Sequence, residues 1–139
     1  MISFLRGKVC EVLAANLVID VNGIGYSVLV TPSVLQTAKV GTEISLPVVF
    51  VVREESMTLY GFANSEERRL FEILQTVNGV GPKLALTILA ATTAENLAQA
   101  IGDGDEAALT RIPGVGKKSA ARLVLELSDK FGKKQDSIS

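Results

Sequence analysis

The second half of the chain contains one segment twice, and this repeat restricts the possible folds more than any other feature. The segment LQTVNGVGPKLALTIL begins at Leu74, and LTRIPGVGKKSAARLV begins 35 residues later, at Leu109. A period of this length is typical of a repeated supersecondary unit. Apolar residues recur at helical spacing on both sides of each Gly-x-Gly. Each copy therefore predicts a helix, a tight turn and a second helix.

The chemistry predicted for this turn is the binding of an anion. Glycine lets the backbone turn sharply and places no Cβ between the amides and a ligand. The amides after the turn begin a helix, where N–H groups lack intrahelical partners and the helix dipole is positive, so phosphate is a suitable ligand. Two such sites, without residues that would read bases, indicate a grip on a phosphodiester backbone. The residues predicted to bind phosphate are Gly79, Val80, Gly81, Lys83, Gly114, Val115, Gly116, Lys117, Lys118 and Arg122.

Both copies resemble the helix-hairpin-helix family of sequence-independent DNA-binding motifs. The structural alternative is a pair of glycine-turned hairpins in a small helical bundle, but two copies in register, each followed by lysine, favour phosphate binding. Other glycine motifs do not fit. A Walker A loop would need glycine at Arg111 and Ser or Thr at Lys118, and a dinucleotide fingerprint would need glycine at Leu84 after a strand.

Composition is that of an ordinary globular protein of one large or two small domains. The chain has 139 residues, of which 47% are hydrophobic and 21% are charged. No apolar run approaches the length of a membrane span and no signal-peptide pattern opens the chain, so we expect a cytoplasmic protein without a membrane partner. The single cysteine, Cys10, falls in a strand pattern and is expected to be buried.

The net charge of −1 gives no overall sign of nucleic-acid binding. There are 4 basic and 5 acidic residues up to Phe62, and 10 of each afterwards, so any surface that binds DNA must be local. The chain has no histidine, and no metal-ligand cluster or nucleophile with a base at a recognisable spacing. We therefore expect no enzymatic activity, no metal and no cofactor.

Residues 1–63 predict a β domain. Asn22-Gly23 is a strong hairpin signal, and Val34 to Ala38 could form a helical turn. Five short strands with short connections favour a small closed barrel of the OB type, with an open five-stranded sheet as the alternative. The strand-like segments are Ile2–Val12, Leu17–Val21, Tyr26–Val30, Glu43–Arg53 and Met57–Phe62.

Residues 64–131 predict an all-α domain of five short helices, with one hairpin on either side of a connecting helix. Asn64 with Glu67, and Thr92 with Glu95, have the spacing of capping boxes, and Asp105 can cap a further helix. We expect residues 132–139 to form a tail or the start of a linker. The final helix carries one apolar face, made of Ala120, Leu123, Val124, Leu127 and Phe131.

A β-barrel followed by two such hairpins resembles the RuvA family, which holds four-way Holliday junctions open for branch migration. The resemblance depends most on VREESMTLYGF at Val52–Phe62 and NGVGPKLAL at Asn78–Leu86, and it extends from Met1 to about Phe131. It implies a barrel domain that forms the junction centre and a flat homotetramer, or an octamer of two tetramers. It also implies a partner, the hexameric ATPase motor RuvB. Family members engage this motor through a third domain beyond a linker, and the present chain stops at Ser139, where that linker would begin.

Adjacent acids at Glu54 and Glu55 fall between two apolar strands, where a hairpin tip is expected. The residues alone fit either a solvated tip or part of a metal site, and two acids are too few for the latter. Resemblance to the RuvA family implies an acidic pin at the junction centre.

Two other functions remain open from the residues: a DNA-binding module of a nuclease or other repair enzyme, and a protein-assembly scaffold. Arg68 and Arg69 are expected to be solvated.

Overall fold

In the computed structural model the backbone is described for residues 1–138 and the side chains for residues 1–131. The chain forms two compact units, Met1–Arg68 and Arg69–Ser139. The first contains all the strands, and the second contains most of the helical residues.

The first unit is a closed five-stranded barrel with the strand order β1-β2-β3-β5-β4. Antiparallel pairing of β1 with β4 closes it, and β3 pairs in parallel with β5. The predicted closed barrel is confirmed, and the open sheet is excluded. Each element begins and ends within two residues of its predicted position: β1 (Phe4–Val12), β2 (Asn16–Val21), β3 (Ile24–Val30), α1 (Pro32–Thr37), β4 (Glu43–Val52) and β5 (Met57–Gly61).

Alternating apolar side chains fill the interior of the barrel, as the period of two in a half-buried strand requires. In β2, for example, Leu17 and Ile19 are completely buried. The turn after β2 has positive φ angles at Asn22 and Gly23, 53° and 92°, as predicted for a two-residue hairpin loop. The buried cluster consists of Leu5, Leu17, Ile19, Val28, Val30, Val34, Leu46, Val48 and Leu59.

The prediction that Cys10 is buried is wrong. Its neighbour Val9 points into the barrel and is fully buried, so Cys10 points outward and is exposed. The register of β1 against β2 also shifts here, from Val9 opposite Ile19 to Glu11 opposite Val18. The strand pattern did not by itself show which face of β1 is internal.

The helical unit contains the predicted five helices. These are α2 (Ser65–Gln75), which begins in the first unit, α3 (Pro82–Ala91), α4 (Ala94–Gly102), α5 (Glu106–Thr110) and α6 (Lys117–Ile138). Helix α6 continues through Gly132, where a tail was predicted, and the side chains beyond that point lie outside the described residues. No single helix in the described chain is long and apolar enough to cross a membrane. The pair α3 and α4 meets that criterion only jointly and is bent by 104°.

Two of the three predicted helix caps are present. The Asn64 carboxamide accepts from the Glu67 amide at 2.9 Å, and the Glu67 carboxylate accepts from the amide of Ala63, also at 2.9 Å. Asp105 caps α5 by accepting from the amide of Ala108.

The capping box predicted at Thr92 is wrong. Thr93 caps α4 by accepting from the amide of Asn96, whereas Thr92 ends α3. Two adjacent threonines offer the same capping chemistry, and only the end of the preceding helix decides between them.

Candidate nucleic-acid interface

The two repeats form helical hairpins with the same backbone hydrogen bonds. Three bonds in the first hairpin recur 35 residues later, with lengths that agree within 0.1 Å. The matched donors and acceptors are Val77 to Leu74 and Ile112 to Leu109 at 3.1 Å, Val80 to Val77 and Val115 to Ile112 at 3.0 Å, and Ala85 to Gly81 and Ala120 to Gly116 at 3.0 and 2.9 Å.

Gly79 and Gly114 make the sharp part of each turn. Their φ angles are +89° and +86°, in the left-handed region that side chains with a Cβ rarely adopt. Glycine is therefore required here by the conformation of the backbone.

Gly81 and Gly116 are glycines for a different reason. Gly81 is extended, with φ −91° and ψ −178°, a conformation open to any residue. A Cβ built on Gly81 or on Gly116 would meet no atom within 4 Å. Packing does not require glycine at either position, so the space beside these backbones is open to a ligand.

The amides that follow these glycines begin α3 and α6. The first bonds from residue i to residue i−4 come from Ala85 and Ala120, so the amides of residues 83–84 and 117–119 have no partner inside their helices. The first position of α3 is Pro82, which has no N–H, so the second hairpin offers one amide more. Lys83, Lys117 and Lys118 are exposed at these helix starts.

The side chains of Val80 and Val115, two residues predicted to lie at the phosphate sites, are buried in the core. Each side chain is only 5% exposed. Each amide donates to a carbonyl of its own hairpin, that of Val77 or Ile112, at 3.0 Å. The two valines therefore hold the turns to the core, and the open surface is left to the glycines and lysines.

Arg122 lies beside the turn of the first hairpin, although α6 belongs to the second. Its Nη1 donates to the carbonyl oxygen of Asn78 at 3.4 Å, and a Cβ on Gly79 would lie 3.0 Å from the same nitrogen. The carboxylate of Glu126 accepts from the amide of Asn78, also at 3.4 Å. The contacts of Asn78 with Arg122 and Glu126 could not be predicted from the sequence. These partners are 44 and 48 positions from Asn78, and such distances leave no local pattern.

The acidic pair is at the tip of the hairpin between β4 and β5. The amide of Arg53 donates to the carbonyl of Ser56 at 2.8 Å, and that of Ser56 returns a bond at 3.4 Å, so Glu54 and Glu55 form a two-residue loop. Both acids are exposed. The apolar pair at the base of the loop, Val52 and Met57, is also 57% and 72% exposed. The tip thus projects from the barrel, as predicted.

The two arginines at the start of α2 differ. Arg69 is exposed as predicted. Arg68 is only partly exposed, and its Nη1 donates to the carbonyl of Ser3 at 2.7 Å, which ties the start of α2 to the N-terminal segment. Among residues whose side chains are described, no group of three or more His, Cys, Asp or Glu is placed to hold a metal ion.

Comparison with protein families divides the chain in the same way. The model described as RuvA N terminal domain matches residues 1–61, which contain the barrel. The model described as SAM-like Helix-hairpin-helix tandem matches residues 71–129, which contain both hairpins. The barrel and the tandem hairpins seen in the structure are therefore those of known families.

Curated relatives are similar to the chain over both units. The Holliday junction branch migration complex subunit RuvA of Mycobacterium sp. (strain KMS) is 52% identical over 132 residues, which is 95% of this chain and 67% of the relative. The subunit of the same name from Mycobacterium avium (strain 104) is 53% identical, and that from Nocardioides sp. (strain ATCC BAA-499 / JS614) is 47% identical. Each match again covers 95% of this chain, with 66% of the relative. The chain thus spans about two thirds of the length of these relatives.

Proposed function

This chain belongs to the RuvA family, and from that premise we propose that it binds four-way DNA junctions without regard to sequence and holds them open for branch migration. The observation that carries the proposal is the open backbone at Gly81 and Gly116, at the start of two matched helices. A phosphate can approach these amides closely, and exposed lysines lie beside them. Backbone contacts position DNA but carry no sequence information directly.

The acidic tip suits the centre of a junction. Glu54 and Glu55 are exposed, and each carboxylate repels phosphate. In the proposed complex, several copies of this tip meet at the crossover and keep the four strands apart. Such repulsion weakens the binding of continuous duplex more than that of an open junction, and this difference gives specificity.

The barrel is the proposed surface for self-association into a homotetramer, two of which can enclose one junction. Several large apolar side chains are exposed on the barrel, and their burial against other copies would support this association. They include Phe4 at 60%, Leu13 at 47%, Ile24 at 59%, Val40 at 63% and Met57 at 72%.

In the cell, the proposed partner of the whole protein is a hexameric ATPase motor, RuvB, which moves the duplex arms. This chain supplies the non-catalytic grip on DNA in the cytoplasm, and it needs no metal or cofactor for this role.

The test is a gel shift that compares a four-way junction with linear duplexes made from the same arm sequences. We expect a shifted junction at protein concentrations that leave the duplex free. Incubation with Mg²⁺ on a labelled junction should yield no cleavage, whereas a nuclease module would cut. Equal affinity for the two DNAs, or no shift of either, would contradict the proposal.

A further inference from the structure

The hairpin turn at Asn78 is held from one face of α6, and we infer that Arg122 and Glu126 are positioning residues that align the first phosphate site with the second. This inference rests on the proposed function, because it concerns how the two hairpins grip DNA together. In this inference Arg122 positions the first hairpin and does not bind phosphate directly. The carboxylate of Glu126, beside the proposed DNA-binding surface, has the same positioning role.

The geometry is that of a clasp on one backbone residue. Arg122 and Glu126 are four positions apart, so they lie on the same face of α6. Arg122 donates to the Asn78 carbonyl, and Glu126 accepts from the Asn78 amide, each at 3.4 Å. Both backbone polar groups of Asn78 are thereby bound to α6, immediately before the left-handed Gly79.

The clasp joins the two sites because α6 belongs to both. Its first turn, residues 117–119, supplies the free amides of the second site. Arg122 lies about one helical turn further along α6. It holds the turn that leads into Gly81 and the first site. A shift of α6 would therefore move both sites together.

The opposite turn is braced in a corresponding way. A Cβ on Gly114 would lie 3.1 Å from Cδ1 of Leu84, on α3. Each turn thus lies against the second helix of the other hairpin, one through polar groups and the other through an apolar side chain. This mutual bracing fixes the positions of the two sites before DNA arrives, and preorganisation lowers the entropy lost on binding.

Glu126 provides the sharpest test, because charge and positioning predict opposite signs. A carboxylate near DNA repels phosphate, so its removal should strengthen binding if charge alone matters. If the clasp matters, Glu126→Ala weakens binding even though a negative charge is lost. Glu126→Gln retains an oxygen that can accept from the Asn78 amide.

We propose to measure junction affinity for these variants, with Asp129→Ala as the matched control. Asp129 is an exposed acid on α6, three positions further on. We expect Glu126→Ala to bind about fivefold more weakly than the parent, and Glu126→Gln and Asp129→Ala to bind at least as tightly as the parent, given the usual size of couplings between contacting residues. If Glu126→Ala binds as tightly as Asp129→Ala, the inference fails.

A double-mutant cycle separates positioning by Arg122 from a direct phosphate contact. If Arg122 acts through the first hairpin, Arg122→Ala should couple to Lys83→Ala, and the double variant should lose about fivefold less than the product of the single losses. When Arg122→Ala is combined with Lys118→Ala, the loss of affinity should equal the product of the two single losses within about twofold. Coupling to Lys118 without coupling to Lys83 would assign Arg122 to the second site and overturn the inference.

A measurement without DNA keeps this inference distinct from the proposed function. Amide NMR shifts of Asn78 and Gly79 should move in Glu126→Ala and stay near those of the parent in Asp129→Ala, at unchanged thermal stability. Shifts that move equally in the two variants would contradict the clasp. Failure of the parent protein to bind junctions would contradict the proposed function, whereas the NMR result would still decide whether the clasp exists.

Discussion

Gly81 and Gly116 occupy the same position in two hairpins 35 residues apart, and at both an added Cβ would meet no atom within 4 Å. By contrast, Gly79 and Gly114 have positive φ angles and neighbours at 3.0 and 3.1 Å from an added Cβ. Each hairpin therefore contains one glycine that the fold requires and one that the fold does not require. The second kind supports the proposed binding of phosphate, because it leaves the backbone amides open to a close approach.

This difference predicts that binding and stability can be separated. Gly81→Val should fold normally, because an extended residue before proline accommodates a β-branched side chain. It should nevertheless weaken junction binding roughly tenfold, about 1.4 kcal/mol, because the side chain fills the space for the phosphate. Gly79→Val is the control and should lower the thermal midpoint, since its φ of +89° is strained for valine. If Gly81→Val folds and binds junctions as tightly as the parent, the proposed phosphate site at Gly81 is wrong.

Affinity should be independent of sequence and should fall steeply with salt, because neutralised phosphates release counterions. The measurement is a salt titration with junctions of one shape and unrelated arm sequences. Parallel lines of log affinity against log salt are expected. Affinities that differ many-fold between these junctions would indicate base contacts that the hairpins do not provide.

Lys118→Ala should weaken binding uniformly and reduce the salt slope by about one unit, because one phosphate contact is lost. Lys118 is exposed at the start of α6. The matched control is Arg69→Ala, an exposed basic residue on α2 that precedes the repeated segment and lies away from both glycine turns in sequence, and it should change neither quantity. Equal losses of junction affinity in the two variants would mean that the lysine at the hairpin turn contributes no more to binding than any other exposed basic residue.

Replacement of Glu54 and Glu55 together by Gln should strengthen binding to linear duplex and leave junction binding similar or tighter. The reason is loss of repulsion at the exposed tip, and the effect should be largest at low salt, where screening is least. A double change of Glu11 and Glu43 to Gln alters the net charge equally on the same barrel and serves as control. If the tip variant discriminates junction from duplex as well as the parent does, the pin assignment is wrong.

The stability of the barrel should depend on Tyr60 at alkaline pH. Burial raises the pKa of its phenol above the usual value of 10.0, and the positive charge of Arg53 opposes this only in part. Because the folded-state pKa exceeds the unfolded one, this contribution to stability is complete below about pH 10 and is lost as the pH rises through the folded pKa. Thermal midpoints between about pH 8 and 11 should fall less in Tyr60→Phe than in the parent. Tyr26→Phe is the control, and an unchanged slope in Tyr60→Phe would contradict the prediction.

The sequence by itself determined the features that depend on short-range patterns. Spacing of apolar residues and turn chemistry placed five strands and five helices, and the 35-residue repeat placed the two glycine turns. The Asn64 cap and the Asn22-Gly23 turn were predictable for the same reason. Each of these features depends on hydrogen bonds or side-chain contacts within a few residues, so the local sequence contains the whole cause.

Only the tertiary structure decided the relationships between distant residues. It placed Arg68 on the carbonyl of Ser3 and turned Cys10 outward. It also showed that Gly81 faces open space and that α6 holds Asn78 through Arg122 and Glu126. These outcomes depend on which surfaces meet when the chain packs, and packing joins residues whose separation in sequence carries no periodic signal.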